Sequence, residues 1–242
     1  MKVLVVNAAP RMEAGNTQMI LNPLLVGMRH EGASVDVCYL GRKKIERCIG
    51  CFTCYAKTPG RCIHQDDMPA VIERVRMADM MVLATPVYVD GMTSLAKSFI
   101  DRLVVFLDPH FMKTDKGLAH PLRWKFPGKL LLMSVCGYPG VHNFEPLLLH
   151  MERISRNFHS EFIGAILRPA VFSCLLTHKY PDRIKAVMDA VRIAGEQLAQ
   201  DGTMSQENLD AASADICSAE ELMNTANSYW DRELEKYDDE PA

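Results

Sequence analysis

The feature that most constrains this chain is a repeated alternation of short apolar runs with longer segments of helical periodicity. Residues 3–6, Val-Leu-Val-Val, are brief, branched and ended by the polar Asn7, as expected of a strand buried on both faces. Residues 16–29 place Met19, Ile20, Leu24 and Met28 on one helical face. A second strand is predicted over 34–40. After a cysteine-rich loop comes a helix over 66–78, with Asp66 or Asp67 as N-cap and Pro69 in its first turn. The almost wholly apolar 79–85 gives a third strand and 93–107 a helix. A fourth strand (130–136), a helix (142–157), a fifth strand (161–167) and an amphipathic helix begun by Pro181 (181–200) follow. Residues 108–128 read as an irregular insertion, and 205–242 as one more helix ending in an acidic tail.

Strands joined by helical crossovers form a parallel sheet with helices on both faces. Five strands at this spacing predict an α/β, flavodoxin-like doubly wound parallel sheet of order 2-1-3-4-5, rather than a six-stranded dinucleotide fold. One domain is expected over 1–202, carrying the cysteine loop (48–62) and the insertion (108–128), then a C-terminal helical extension and acidic tail over 203–242. The 242 residues can bury a full core without covalent staples. A net charge of -3 favours neither nucleic acid nor an acidic membrane, and Arg42-Lys43-Lys44 reads as a solvated patch. No apolar run reaches the length of a membrane span, and no export signal follows Met1-Lys2, so a cytoplasmic protein is expected. In a reducing compartment its eight cysteines suggest buried thiols, redox chemistry or metal ligation rather than disulfides.

Ligands of such sheets bind beyond the carboxyl ends of the strands. The first such loop, residues 7–17, leads directly from strand to helix, offering an anion its backbone N–H groups, the Arg11 guanidinium and the neutral donors of Asn16 and Thr17. Neither G-x-G-x-x-G nor a Gly-Lys-Ser/Thr phosphate loop is present, which disfavours dinucleotide or ATP binding in those modes. The third-strand loop, 85–93, carries Tyr88, whose ring could stack on a planar heterocycle. In the fourth-strand loop, 136–143, Gly137 and Gly140 permit close backbone approach, Cys136 reads as a small buried hydrophobe, and His142 as a helix-start residue. Cys48, Cys51 and Cys54 stand at C-x2-C-x2-C spacing with Cys62 beyond a Gly60 turn, a set competent for an iron–sulfur cluster and equally for zinc. Cys38, Cys174 and Cys217 have no such neighbours and read as structural.

These loops together resemble the NAD(P)H-dependent FMN reductases over roughly residues 1–200. The family's phosphate loop usually reads Gly-Ser-Pro-Arg followed by Gly-Asn-Thr; Pro10, Arg11, Gly15, Asn16 and Thr17 match, while Ala8 and Ala9 depart. The serine hydroxyl that faces phosphate is thus absent at Ala9, which implies weaker binding unless another donor replaces it. Pro86-Val87-Tyr88 and the following Lys97-Ser-Phe-Ile-Asp-Arg102 resemble the family's flavin-cradling loop and helix, with Ala96 where leucine is usual. The resemblance implies FMN bound by Ala9, Arg11, Asn16 and Thr17, by Pro86, Val87, Tyr88, Val89, Asp90 and Gly91, and by Cys136, Gly137, Tyr138 and Gly140. Asp101 and Arg102 are expected in a structural ion pair or interface contact. The cysteine loop and the Asp66-Asp67 pair resemble the iron–sulfur flavoproteins, implying a [4Fe-4S] cluster on Cys48, Cys51, Cys54 and Cys62.

The implied activity is hydride transfer from NADH or NADPH to FMN and electron release to a small acceptor such as a flavin or quinone, with no side chain needed as catalytic acid or base. Two alternatives stay open: an electron carrier linking FMN, the cluster and a ferredoxin-like partner, and a non-enzymatic module with a zinc or empty thiol loop. The family also implies a homodimer or homotetramer, to which the insertion, with Phe111, Trp124 and Phe126, would contribute as an exposed aromatic surface or a lid.

Overall fold

The computed structural model describes residues 1–115 and 117–236; the predicted acidic tail lies outside them. β1 (Lys2–Asn7) runs into α1 (Asn16–His30), then β2 (Ser34–Tyr39), the cysteine loop, α2 (Met68–Met77), β3 (Met80–Pro86) and α3 (Ser94–Arg102). The insertion contains a hairpin, β4 (Met112–Thr114) and β5 (Gly117–Ala119). There follow β6 (Lys129–Val135), α4 (Glu145–Asn157), β7 (Glu161–Arg168), α5 (Pro181–Gln200), α6 (Gln206–Ser213) and α7 (Ala219–Glu235).

The main sheet is fully parallel in the order β2-β1-β3-β6-β7, which is 2-1-3-4-5 when the hairpin is set aside. Each central strand buries both faces, so apolar side chains run without alternation through β3 and β6. One core lies under α2, α3 and α4, built from residues such as Val71, Phe99, Leu147 and Met151. The other lies under α1 and α5, around Leu24, Met28, Val191 and Leu198. No helix among the described residues is long and apolar enough to cross a membrane.

Several expectations are corrected. Helix α3 ends at Arg102 and tightens into a 3-10 turn at Leu103–Phe106, where a single longer helix was predicted. The C-terminal extension holds two helices, not one, each started by a serine whose hydroxyl accepts an N–H three residues on: Ser205 from Asn208 and Ser218 from Glu221. The extension is latched to the domain by the buried Arg168, which donates to the carbonyls of Ala212 and Ala214 at 3.0 and 2.8 Å. The insertion's aromatics turn inward: Phe126 stacks on Phe158, and both it and Trp124 meet Phe106 edge-on, leaving only Phe111 of the three exposed. An aromatic lid from Trp124 and Phe126 is therefore unavailable.

Candidate functional site

Polar residues end the apolar runs of β1, β3 and β6, and they knit the three following loops together. Buried Asn7 donates to Gln18 at 2.8 Å and accepts the Ala9 N–H at 2.9 Å. Thr93 donates to the Ala8 carbonyl at 2.8 Å, caps α3 through Ala96 N–H, and its own N–H reaches Thr85. Ser134 donates to the Thr85 carbonyl at 2.8 Å. A buried polar group without a partner would cost about 1–3 kcal/mol, so these cross-links fix the spacing of the three crests. None of Asn7, Thr85, Thr93 and Ser134 was anticipated as a site residue, although a hydroxyl or amide closing an apolar run was the visible signal.

Between the crests lies a cavity of about 140 Å³ lined by Ala9, Arg11, Asn16, Thr17, Pro86, Val87, Tyr88, Cys136 and Gly137, all anticipated, by Pro10 and Gly15 of the same phosphate-loop motif, and by Val135, Val171 and Phe172, which were not anticipated. That volume is smaller than whole-ligand pockets, so it suits one end of a ligand, with the rest lying against the open rim. The α1 N-terminus faces it with Gly15 as N-cap and no side chain capping the first turn. Arg11 is exposed and, among the described residues, has no ion-pair partner. Free helix N–H groups beside an uncommitted guanidinium make an anion site. The N–H of Ala9 is already committed to Asn7.

The other anticipated residues form the rim. Tyr88 and Gly91 exchange backbone hydrogen bonds at 2.9 and 3.1 Å, so Val89 and Asp90 are the two central residues of a tight turn, both at positive φ (46° and 60°). A β-branched residue is strained there, and Val89 is nonetheless 100% exposed. Tyr138 is exposed, and Gly140 takes φ +89° with the His142 ring against it. At Gly137 an added Cβ would stand 3.1 Å from the Phe172 ring, so this glycine admits a side chain of its own chain. A larger groove of about 850 Å³ opens between the β4–β5 hairpin and the end of α4, at the opposite end of β7 from these loops.

The four anticipated thiols, Cys48, Cys51, Cys54 and Cys62, line a second cavity of about 290 Å³ with His64, Asp101 and Arg102. Gly50, Phe52 and Gly60 bend the loop at positive φ, and the Trp124 indole seats on Gly60, where a Cβ would fall 2.4 Å from it. Burial pushes the Cys54 thiol pKa up, reinforced by Cys62, whereas hydrogen bonding from Thr53 pulls Cys51 down. No three of the sulfurs lie within 4.8 Å of one another. Four thiolates suit a tetrahedral zinc as well as a bulkier iron–sulfur centre. Among the described residues, the buried Nε2 of His64 and Nε of Arg102, two residues that line this cavity, have no hydrogen-bond partner.

Arg102 pairs with Asp66 rather than the adjacent Asp101: Nη1 lies 2.7 Å from Oδ2 with both side chains buried, while Asp101 pairs with Lys97. Burial opposes ionisation of Asp66, but Arg102 and the N–H groups of Glu46 and Met68 outweigh it and hold its pKa at about 2. A carboxyl depressed in the folded state stabilises it fully above the unfolded value and progressively less as pH falls toward the folded one. Stability is therefore expected to drop by about 2 kcal/mol from this group between about pH 5 and pH 2. Urea unfolding across that window should show a shallower slope in Asp66→Asn than in the parent chain; identical slopes would contradict the assignment.

A profile of the NADPH-dependent FMN reductase family matches residues 1–126. An iron–sulfur flavoprotein of Archaeoglobus fulgidus is 31% identical over 154 residues, covering 64% of this chain and 62% of the relative. One from Methanocaldococcus jannaschii is 35% identical over 121 residues, covering 49% and 60%. The chain thus matches about three fifths of these relatives' length. Among solved structures, an FMN-dependent NADH-azoreductase from Bacillus anthracis in complex with FMN superposes with a TM-score of 0.61 at 12% identity, covering 82% of this chain and 99% of that one, a likeness of fold.

Proposed function

Because the chain belongs to the NADPH-dependent FMN reductase family, we propose that it is a cytoplasmic FMN-dependent oxidoreductase passing electrons from NADH or NADPH to a small acceptor such as a flavin or quinone. The observation that carries this is the uncapped α1 N-terminus beside the unpaired Arg11, at the point where three cross-linked loops converge. Bound FMN would supply the two-electron chemistry, taking hydride from the nicotinamide and releasing electrons to the acceptor.

The chain's own residues bind and orient. Arg11 and the first-turn N–H groups of α1 hold a phosphate, with Asn16 and Thr17 as neutral donors. Tyr88, half exposed on the rim, offers a ring face to a flat heterocycle, and Val87 and Phe172 offer apolar surface beside it. Val89, Asp90, Gly91, Tyr138 and Gly140 form the outer edge of that rim, where the nicotinamide and acceptor would approach. Losing a hydrogen bond to a charged group costs about 1.5–3 kcal/mol. Arg11→Ala should therefore weaken FMN binding about tenfold to over a hundredfold in a fluorescence titration, without altering the melting temperature. Equal affinity in the two proteins would remove Arg11 from the site.

A second reading is favoured by the cysteine cavity, which adds one-electron capacity: a [4Fe-4S] centre on Cys48, Cys51, Cys54 and Cys62 exchanging electrons with a ferredoxin-like partner. Zinc on the same four thiols is the competing occupant. Anaerobic purification with iron, sulfide and zinc analysis separates the three. A homodimer or homotetramer is supported by the exposed Tyr88, Val89, Tyr138 and Phe172 around the site, and by Met223, Tyr229, Trp230 and Leu234 on α7. Sedimentation should detect it; a monomer at micromolar concentration would contradict it.

A further inference from the structure

Three buried side-chain polar atoms have no partner among the described residues, and two of them, Arg102 Nε and His64 Nε2, belong to residues lining the cysteine cavity. Arg102 is only 1% exposed. One side of its guanidinium is committed: Nη1 donates to Asp66 Oδ2 at 2.7 Å and to the Glu46 carbonyl at 2.8 Å, and Nη2 to Asp66 Oδ1 at 3.2 Å. The Glu46 carbonyl and the Asp66 carboxylate stand at the two ends of the cysteine loop, so one guanidinium from α3 clamps both. On its other side Arg102 faces the Cys62 thiol. Arg102 lines the cavity and Asp66 does not, so the pair is a fixed dipole with its positive end toward the sulfurs.

A buried polar nitrogen left without a partner is costly, and two such atoms, on residues lining a cavity walled by four thiols, mark a place where a partner belongs. We propose that Arg102, held by Asp66, positions the cysteine loop around an iron–sulfur cluster and raises the reduction potential of that cluster, with His64 supplying a second hydrogen-bond donor. This rests on the reading that Cys48, Cys51, Cys54 and Cys62 ligate a [4Fe-4S] centre. With four thiolates an oxidised centre of that kind is formally a dianion, and it becomes a trianion on accepting one electron. A buried cation and N–H donors aimed at its sulfurs stabilise the more negative state more strongly, so the potential rises. Asp101, the carboxylate that lines the cavity, is paired with Lys97 and leaves the Arg102 charge unopposed on that side.

The test compares the full chain with Arg102→Lys, His64→Ala and the double variant Arg102→Met with Asp66→Asn, which deletes the ion pair without stranding a buried carboxylate. Each is reconstituted anaerobically with ferrous iron and sulfide and titrated with dithionite, one electron per cluster, while absorption and electron paramagnetic resonance are followed. The expected result is full iron content and a near-parental midpoint in Arg102→Lys. His64→Ala should take up the cluster with a midpoint moved to more negative potential, and the double variant should show a larger negative shift or partial loss of iron. A role confined to holding the fold would lower the melting temperature of the metal-free chain and leave the midpoint where it was. Loaded His64→Ala and double variants with parental midpoints overturn the proposal. Should the double variant fail to fold, an unshifted His64→Ala together with a parental iron stoichiometry overturns it alone. A parent chain that takes up no iron and sulfide removes the cluster reading and this inference together, whereas a loaded parent with unshifted variants removes only the inference.

Discussion

Gly27→Ala is expected to remove about 3 kcal/mol or more of folding stability, although alanine is the better helix former by about 1 kcal/mol. Gly27 lies in α1, and a Cβ there would fall 2.0 Å from the Arg192 carbonyl and 3.0 Å from the Glu196 nitrogen of α5. The contact is reciprocal, since a Cβ on Gly195 would fall 2.3 Å from the Leu24 carbonyl and 3.1 Å from the Met28 nitrogen. The two helices touch backbone to backbone, so no side-chain rotation can relieve the clash and the helices must separate. Separation opens the core that holds Leu24, Met28, Val191 and Leu198. It also shifts the α1 N-terminus, so FMN affinity should fall with stability even though Gly27 is far along the helix from the cavity. Denaturant unfolding measures the first effect: a lower midpoint with unchanged slope is expected for both glycines, whereas a stabilised Gly27→Ala chain would contradict the packing.

Arg102→Met is expected to cost about 3–5 kcal/mol, because it strands the ionised Asp66 carboxylate in a site from which water is excluded. The Coulomb attraction of the pair is not what makes the loss large. Desolvation of the remaining charge is, and that argument predicts the recovery as well. Adding Asp66→Asn to Arg102→Met should restore part of the loss, since no buried charge is left and the amide oxygen can still accept one of the Glu46 and Met68 N–H groups, which Asp66 accepts on separate oxygens. Thermal or urea unfolding of the two singles and the double gives the coupling directly. Additive losses in the double variant would mean that the two residues act independently, contrary to the geometry.

The sheet was legible because its strands are buried on both faces: the unbroken apolar runs of β1, β3 and β6 leave no other reading, and Pro181 marks the start of α5. The β4–β5 hairpin was not legible, since three-residue strands such as Met112–Thr114 are too short and exposed to carry an alternating pattern. The break between α6 and α7 contains neither glycine nor proline, yet Ser218 followed by Glu221 is a capping-box spacing that could have revealed it. The Asp66–Arg102 pair joins residues 36 apart in sequence, which no local pattern encodes. Helical geometry alone, however, argues against pairing Asp101 with Arg102, because neighbours in sequence do not face each other on a helix. The loops were recognisable as loops, but only the folded chain places Phe172 against Gly137 and turns Val89 and Asp90 out to the rim.

The most direct test of the central claim is anaerobic. The purified chain is incubated with FMN, freed of excess flavin, and titrated with NADPH and then NADH while the flavin absorption is followed. One flavin retained per chain, bleached by a reduced nicotinamide and restored on adding a quinone, is the predicted result. A chain that retains no flavin, or whose bound flavin stays oxidised under both nicotinamides, would contradict it.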